Sequence, residues 1–148
     1  MDKKFYIAAN WKMNASLSFI NDYFSFLDSN AENSNEMIIC PPDIYLESVK
    51  KTAPNFIKTG AQNISSNNEG AYTGECSGEM LADNSVQYVI IGHSERRQYH
   101  QESNEDIKLK LLKAIDSDIK QFYALVSQKR KENQIKHSTS SINKSEAS

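Results

Sequence analysis

The stretch Val86-Gln87-Tyr88-Val89-Ile90-Ile91-Gly92-His93-Ser94-Glu95-Arg96-Arg97 decides the fold. Its first half is a short apolar run rich in β-branched residues, the pattern of a strand buried on both faces, as parallel sheets require. It runs through a glycine into a polar segment that opens a short helix. Just downstream, Ser103-Asn104-Glu105-Asp106 reads as a capping box, with Ile107, Leu111 and Ile115 as the apolar stripe of the helix behind it.

The same alternation extends upstream. Lys4 to Ala9 is a buried-strand run, and Leu17, Ile20, Phe24 and Leu27 recur at helical spacing until the turn formers Asp28-Ser29-Asn30. Met37 to Cys40 is a second strand, broken by Pro41-Pro42, after which Asp43 stands where an N-cap opens a helix through about Thr52. Phe56 to Ala61 is a third, weaker strand. Gln62 to Gly78 follows as an aperiodic loop rich in Asn, Ser and Gly, and irregular loops of that length in compact domains are functional or disordered. Four strands alternating with helices predict an α/β fold with a parallel sheet.

Composition narrows the function classes. The 148 residues suffice for one hydrophobic core. A formal charge of -2 and a pI near 5.9 give no electrostatic case for nucleic acid or an anionic bilayer. No apolar run approaches the roughly 20 residues of a membrane helix, and the N-terminus lacks the h-region of a secretory signal, so a cytosolic protein is expected. Cys40 and Cys76 fit neither a metal-ligand spacing nor a disulfide framework and are read as reduced, semi-buried thiols.

Three polar constellations bear on chemistry. Ala9-Asn10-Trp11-Lys12-Met13-Asn14 follows a buried strand, and ligands of parallel α/β folds bind at the C-terminal ends of strands. Lys12 is there either an anion anchor or a solvated loop charge. Gly92-His93-Ser94-Glu95 places an imidazole near the free N–H groups that open a helix, which disfavours imidazolium and suits a neutral donor to a carbonyl or enediolate oxygen; a histidine that merely caps the helix fits the spacing equally. Glu95 and Arg96 are expected to form a local ion pair. Gly70-Ala71-Tyr72-Thr73-Gly74-Glu75 is a tight loop tip, a plain surface turn or an interface loop.

These three constellations and Gly60-Ala61-Gln62-Asn63 stand in the order and spacing of triosephosphate isomerases, which the chain resembles over about residues 4 to 120. The resemblance implies a partial (β/α)₈ barrel of four β/α units with the possible start of strand five. It implies interconversion of dihydroxyacetone phosphate and D-glyceraldehyde 3-phosphate through an enediolate, in glycolysis and gluconeogenesis, with no metal and no organic cofactor. On that resemblance Asn10, Trp11 and Lys12 contact substrate, Lys12 neutralises phosphate and enediolate charge, and His93 is the electrophile, with Ser94 and Glu95 in support. A neutral histidine at a helix N-terminus is a standing example from this very family, so the role belongs to the resemblance. Thr73 and Glu75 match a loop that reaches into a second subunit, which implies a homodimer.

The resemblance stops short of the family's carbon-side glutamate, its closing lid and its late phosphate turns, so the chain alone is expected to be nearly inactive. The alternative is a non-catalytic half-barrel that associates with a partner.

Residues 1–120 are therefore read as one N-terminal half-barrel and residues 121–148 as a divergent, disordered tail. Phe122 to Val126 suits a fifth strand or a continuing helix. Gln128 to Ser148 carries five basic and two acidic residues; an RNA-binding arm is disfavoured there by the absence of aromatics. The family's next strand is of the type Ile-Leu-Cys-Ile-Gly-Glu-Ser. Gln121-Phe122-Tyr123-Ala124-Leu125-Val126-Ser127-Gln128 can be back-translated so that reading two nucleotides later spells that strand, from which a frameshift origin of the tail is expected. The coding DNA tests this: the offset frame should run on into the lid and glutamate segment, and a stop or unrelated sequence there refutes the frameshift.

Overall fold

The computed structural model describes residues 5–27 and 35–123. The turn formers Asp28 to Asn30 and the tail from Ala124 onward lie outside the described residues. Five parallel strands, β1 (Tyr6–Asn10), β2 (Glu36–Cys40), β3 (Ile57–Ala61), β4 (Tyr88–Ile91) and β5 (Lys120–Tyr123), lie side by side in sequence order. Helices α1 (Leu17–Ser25), α2 (Leu46–Thr52), α3 (Gly78–Asp83), α4 (Ser94–Tyr99) and α5 (Asn104–Asp116) connect them, which is the architecture of a partial (β/α) barrel. The segment after Lys120 thus continues as strand, not helix, and β5 spans the 120/121 junction.

Local signals explain the element ends. Ser16 Oγ accepts from Phe19 N at 3.0 Å to start α1. The capping box of α5 is complete: Asp106 N donates to Ser103 Oγ at 3.1 Å, and Ser103 N donates back to Asp106 Oδ2 at 2.8 Å. Asp43 does not cap α2. It opens a 3₁₀ turn, Asp43–Tyr45, because Pro42 holds the chain extended and Tyr45 N turns back to Pro42 O at 2.9 Å. Pro54 ends α2 by forcing Ala53 out of the helical region. Helix α3, unforeseen between the aperiodic loop and β4, is one short segment capped by Ser77.

Side chains alternate across the sheet with period two. Ile39, Ile57, Ala61, Val89 and Ile91 face the helices, where they pack with Ile20 and Phe24 of α1, Val49 of α2, Leu81 of α3, and Ile107 and Ala114 of α5. Ile38, Cys40, Tyr88 and Ile90 form the opposite, inner face, with Phe122 stacked on Tyr88. On α5 the buried residues are Ile107, Lys110 and Ala114, whereas Ile115 is exposed, so the stripe is rotated from the one read in the sequence. Burial pushes the Cys40 thiol up to about 12, which leaves it protonated as a packing unit.

Gly60 keeps this inner face closed. A Cβ there would lie 2.5 Å from Cys40 Sγ and 3.3 Å from both Ile38 Cγ2 and Tyr88 Cβ. Gly60→Ala should therefore destabilise the chain by about 1–3 kcal/mol in urea unfolding, against the usual gain from replacing glycine. Cys40→Ala in the same chain should recover part of that loss. A Gly60→Ala protein as stable as its parent would mean that the inner face is loosely packed.

Candidate active site

Because the strands are parallel and adjacent, the ends of β1, β3 and β4 open on one side of the sheet. At the end of β1, Trp11 N donates to Cys40 O at 3.0 Å and extends the ladder by one residue. Lys12 then adopts a left-handed backbone, φ 54°, which costs a non-glycine residue roughly 1–2 kcal/mol. Three hydrogen bonds from two side chains hold this turn. Asn10 Oδ1 accepts from Lys12 N at 2.9 Å, and Gln62 Nε2, at the end of β3, donates to Lys12 O at 2.8 Å and to Cys40 O at 2.9 Å. Asn14 Nδ2 adds a bond to Trp11 O at 3.0 Å. The Trp11 ring packs against Phe19, Tyr23 and Phe24 of α1.

At the end of β4 the chain turns through Gly92, φ 72°, where a Cβ would approach Ile107 Cδ1 to 3.1 Å. His93 becomes the N-cap of α4, and its Nδ1 accepts from Glu95 N at 3.2 Å. That bond requires a lone pair on Nδ1. The proton of a neutral imidazole then sits on Nε2, free to donate to a ligand oxygen.

Glu95 joins the two arms. Its Oε1 accepts from Lys12 Nζ at 2.6 Å, and its Oε2 lies 3.6 Å from His93 Nδ1, too far for a hydrogen bond. The bond from Lys12 is the main cause that holds the Glu95 carboxyl below the ordinary range. The expected Glu95–Arg96 pair does not form. Lys12 takes Glu95, and Arg96 Nε instead donates to Glu102 Oε2 at 2.5 Å. Ser94 is exposed at the first position of α4.

The structure therefore brings Asn10, Lys12, His93 and Glu95 together. Thr73 and Glu75 stand apart on an exposed tip tightened by Tyr72 N to Gly70 O (2.9 Å) and Glu75 N to Tyr72 O (3.1 Å). Among the described residues, no hydrogen bond joins this tip to Lys12 or His93. The role of Gln62 went unread, although its place one residue past a strand end marked it. Lys110, buried on α5, is likewise absent from the stripe read in the sequence, although its place three residues from Ile107 puts it on the same helix face.

Comparison with known proteins agrees with this arrangement. The family model described as triosephosphate isomerase matches residues 5–146. The triosephosphate isomerase of Buchnera aphidicola subsp. Acyrthosiphon pisum is 48% identical over 112 residues, covering 73% of this chain and 44% of that protein. Those of Shewanella sp. strain W3-18-1 and Shewanella woodyi are 43% and 44% identical over 117 residues, each covering 73% of this chain and 45% of the relative. The chain spans a little under half the length of the curated relatives it matches. A barrel-type sheet, a lysine and a histidine joined at its strand ends and these matches lead to one conclusion: the chain belongs to the triosephosphate isomerase family.

Proposed function

We propose that this chain carries the oxygen-side half of a site that interconverts dihydroxyacetone phosphate and D-glyceraldehyde 3-phosphate, in the cytosol and in the service of glycolysis and gluconeogenesis. The observation that carries the reading is the joining of Lys12 and His93 through Glu95 at the ends of β1 and β4. Lys12 Nζ neutralises the phosphate and the negative charge that develops on the enediolate. Asn10 and Gln62 hold its backbone for that task. His93 donates from Nε2 to the substrate carbonyl oxygen and transfers a proton between the two oxygens of the enediolate.

The carbon-bound proton needs a carboxylate base. Glu95 is unsuited to that role, because it is tied to Lys12 and its basicity is lowered by the bond. We therefore assign the base to a segment outside the sequence described, and the chain alone should turn over far more slowly than the typical 10 s⁻¹ or so of enzymes. A second reading, a non-catalytic half-barrel that docks on a partner, is favoured by one observation. Phe5, Tyr6 and Ile7 on and beside β1 are about half exposed, although parallel strands are ordinarily covered on both faces.

A coupled isomerase assay on concentrated, purified chain separates the two readings. On the first, a slow but measurable rate should fall by on the order of a hundredfold in His93→Gln, with the circular dichroism spectrum unchanged. A rate untouched by His93→Gln would place the activity elsewhere, and a rate of ordinary enzymic size would remove the need for an external base.

The tip at Gly70–Glu75 is proposed to enter a second copy of the chain, as the exposure of Tyr72, Thr73 and Glu75 allows. Sedimentation velocity should then show a dimer that Thr73→Arg shifts towards monomer without unfolding. A wild-type chain that sediments as a monomer at all concentrations would sink the dimer.

A further inference from the structure

Beneath the site lies a charged network that the proposed chemistry does not use. Glu102 has a side chain only 6% exposed, yet it accepts from two cations, Arg96 Nε at 2.5 Å and Lys110 Nζ at 2.8 Å. Lys110, whose side chain is 7% exposed, also donates to Asn63 Oδ1 at 2.8 Å. Burying the charges of Glu102 and Lys110, with Arg96 half-buried beside them, is expensive, and apolar residues of like volume often serve stability as well or better. The arrangement therefore calls for a reason other than stability.

Its connections supply one. Arg96 lies on α4, three residues after His93, and Glu102 N also donates to Arg96 O at 3.4 Å, so Glu102 grips both ends of that residue. Asn63 is the neighbour of Gln62, whose amide holds the strained backbone of Lys12. One carboxylate thus links the helix that carries His93 to the loop that clamps Lys12. Helix α5 reinforces the link, because Ile107 packs against Gly92 at the turn into His93.

We propose that Glu102 is a positioning residue that sets the separation of the Lys12 and His93 arms by gripping Arg96 and Lys110 at once. The assignment rests on reading those arms as parts of one site. Glutamine cannot replace it, since a carboxamide offers one acceptor oxygen and must turn an NH₂ donor towards one of the two cations. Replacing Lys110 by methionine keeps an unbranched apolar stem, frees Asn63 Oδ1 and Glu102 Oε1 from the ammonium group, and leaves the Arg96–Glu102 bond in place.

The test is ¹⁵N NMR of the full chain, following the His93 imidazole and the Gln62 side-chain amide. Glu102→Gln should shift both sets of signals. Lys110→Met should shift those of Gln62 and spare His93, and it decides the matter if Glu102→Gln does not fold. Val49→Ala, a cavity substitution in the separate core beneath α1 and α2, is the control and should move neither set. Glu102 has no positioning role if Glu102→Gln lowers the unfolding midpoint while both sets stay in place. The same holds if Lys110→Met leaves Gln62 unmoved, or if Val49→Ala shifts the signals as far. None of these readouts requires turnover, so a chain without isomerase activity can still show the link.

Discussion

The left-handed backbone of Lys12 is the constraint around which the site is built. A lysine gains nothing from that conformation itself, so the surroundings must impose it. Asn10 fixes the amide from within the same turn, and Gln62 fixes the carbonyl from two strands away. Both amide hydrogens of Gln62 are used, one on Lys12 O and one on Cys40 O, so the clamp spans the ends of β1, β2 and β3. It holds only while those three strands keep their register, which ties the aim of one ammonium group to the packing of the sheet.

The electrostatics of the site follow from its exposure. The Lys12–Glu95 pair is about half open to solvent, at 52% and 43%, and solvent screening leaves such pairs little weight in stability. Glu95 therefore holds the ammonium group in place at little cost to a competing ligand. His93 is held differently, through a backbone N–H fixed by the start of α4, so its orientation does not depend on which anion Lys12 holds.

Much of this was legible in the sequence, because buried parallel strands are apolar runs and their C-terminal ends are where polar constellations acquire meaning. Tyr88 to Ile91 and the Ser103–Asp106 box show their structure in their own residues. What escaped was set by partners distant in sequence. Arg96 has Glu95 as its chain neighbour, yet it bonds Glu102 because the helix aims the two side chains apart and Lys12, 83 residues from Glu95, competes for the nearer carboxylate. Helix α3 escaped because its six residues carry too little periodicity to register. The buried state of Lys110 depends on Glu102 and Asn63, the second of them 47 residues away, and no local pattern announces that pairing.

The two arms of the site stand on unequal foundations. All four residues of β4 are buried, whereas the first three of β1 are exposed and only Ala9 and Asn10 are half-buried. Segments with few buried apolar contacts open at lower free energy than the strands of a core. His93 thus inherits its rigidity from the strand that leads into it. Lys12 does not, and the bonds to Cys40 O and from Gln62 supply from β2 and β3 the rigidity that β1 lacks. The long-range polar ties therefore converge on the lysine arm because that is the arm the hydrophobic core leaves least supported.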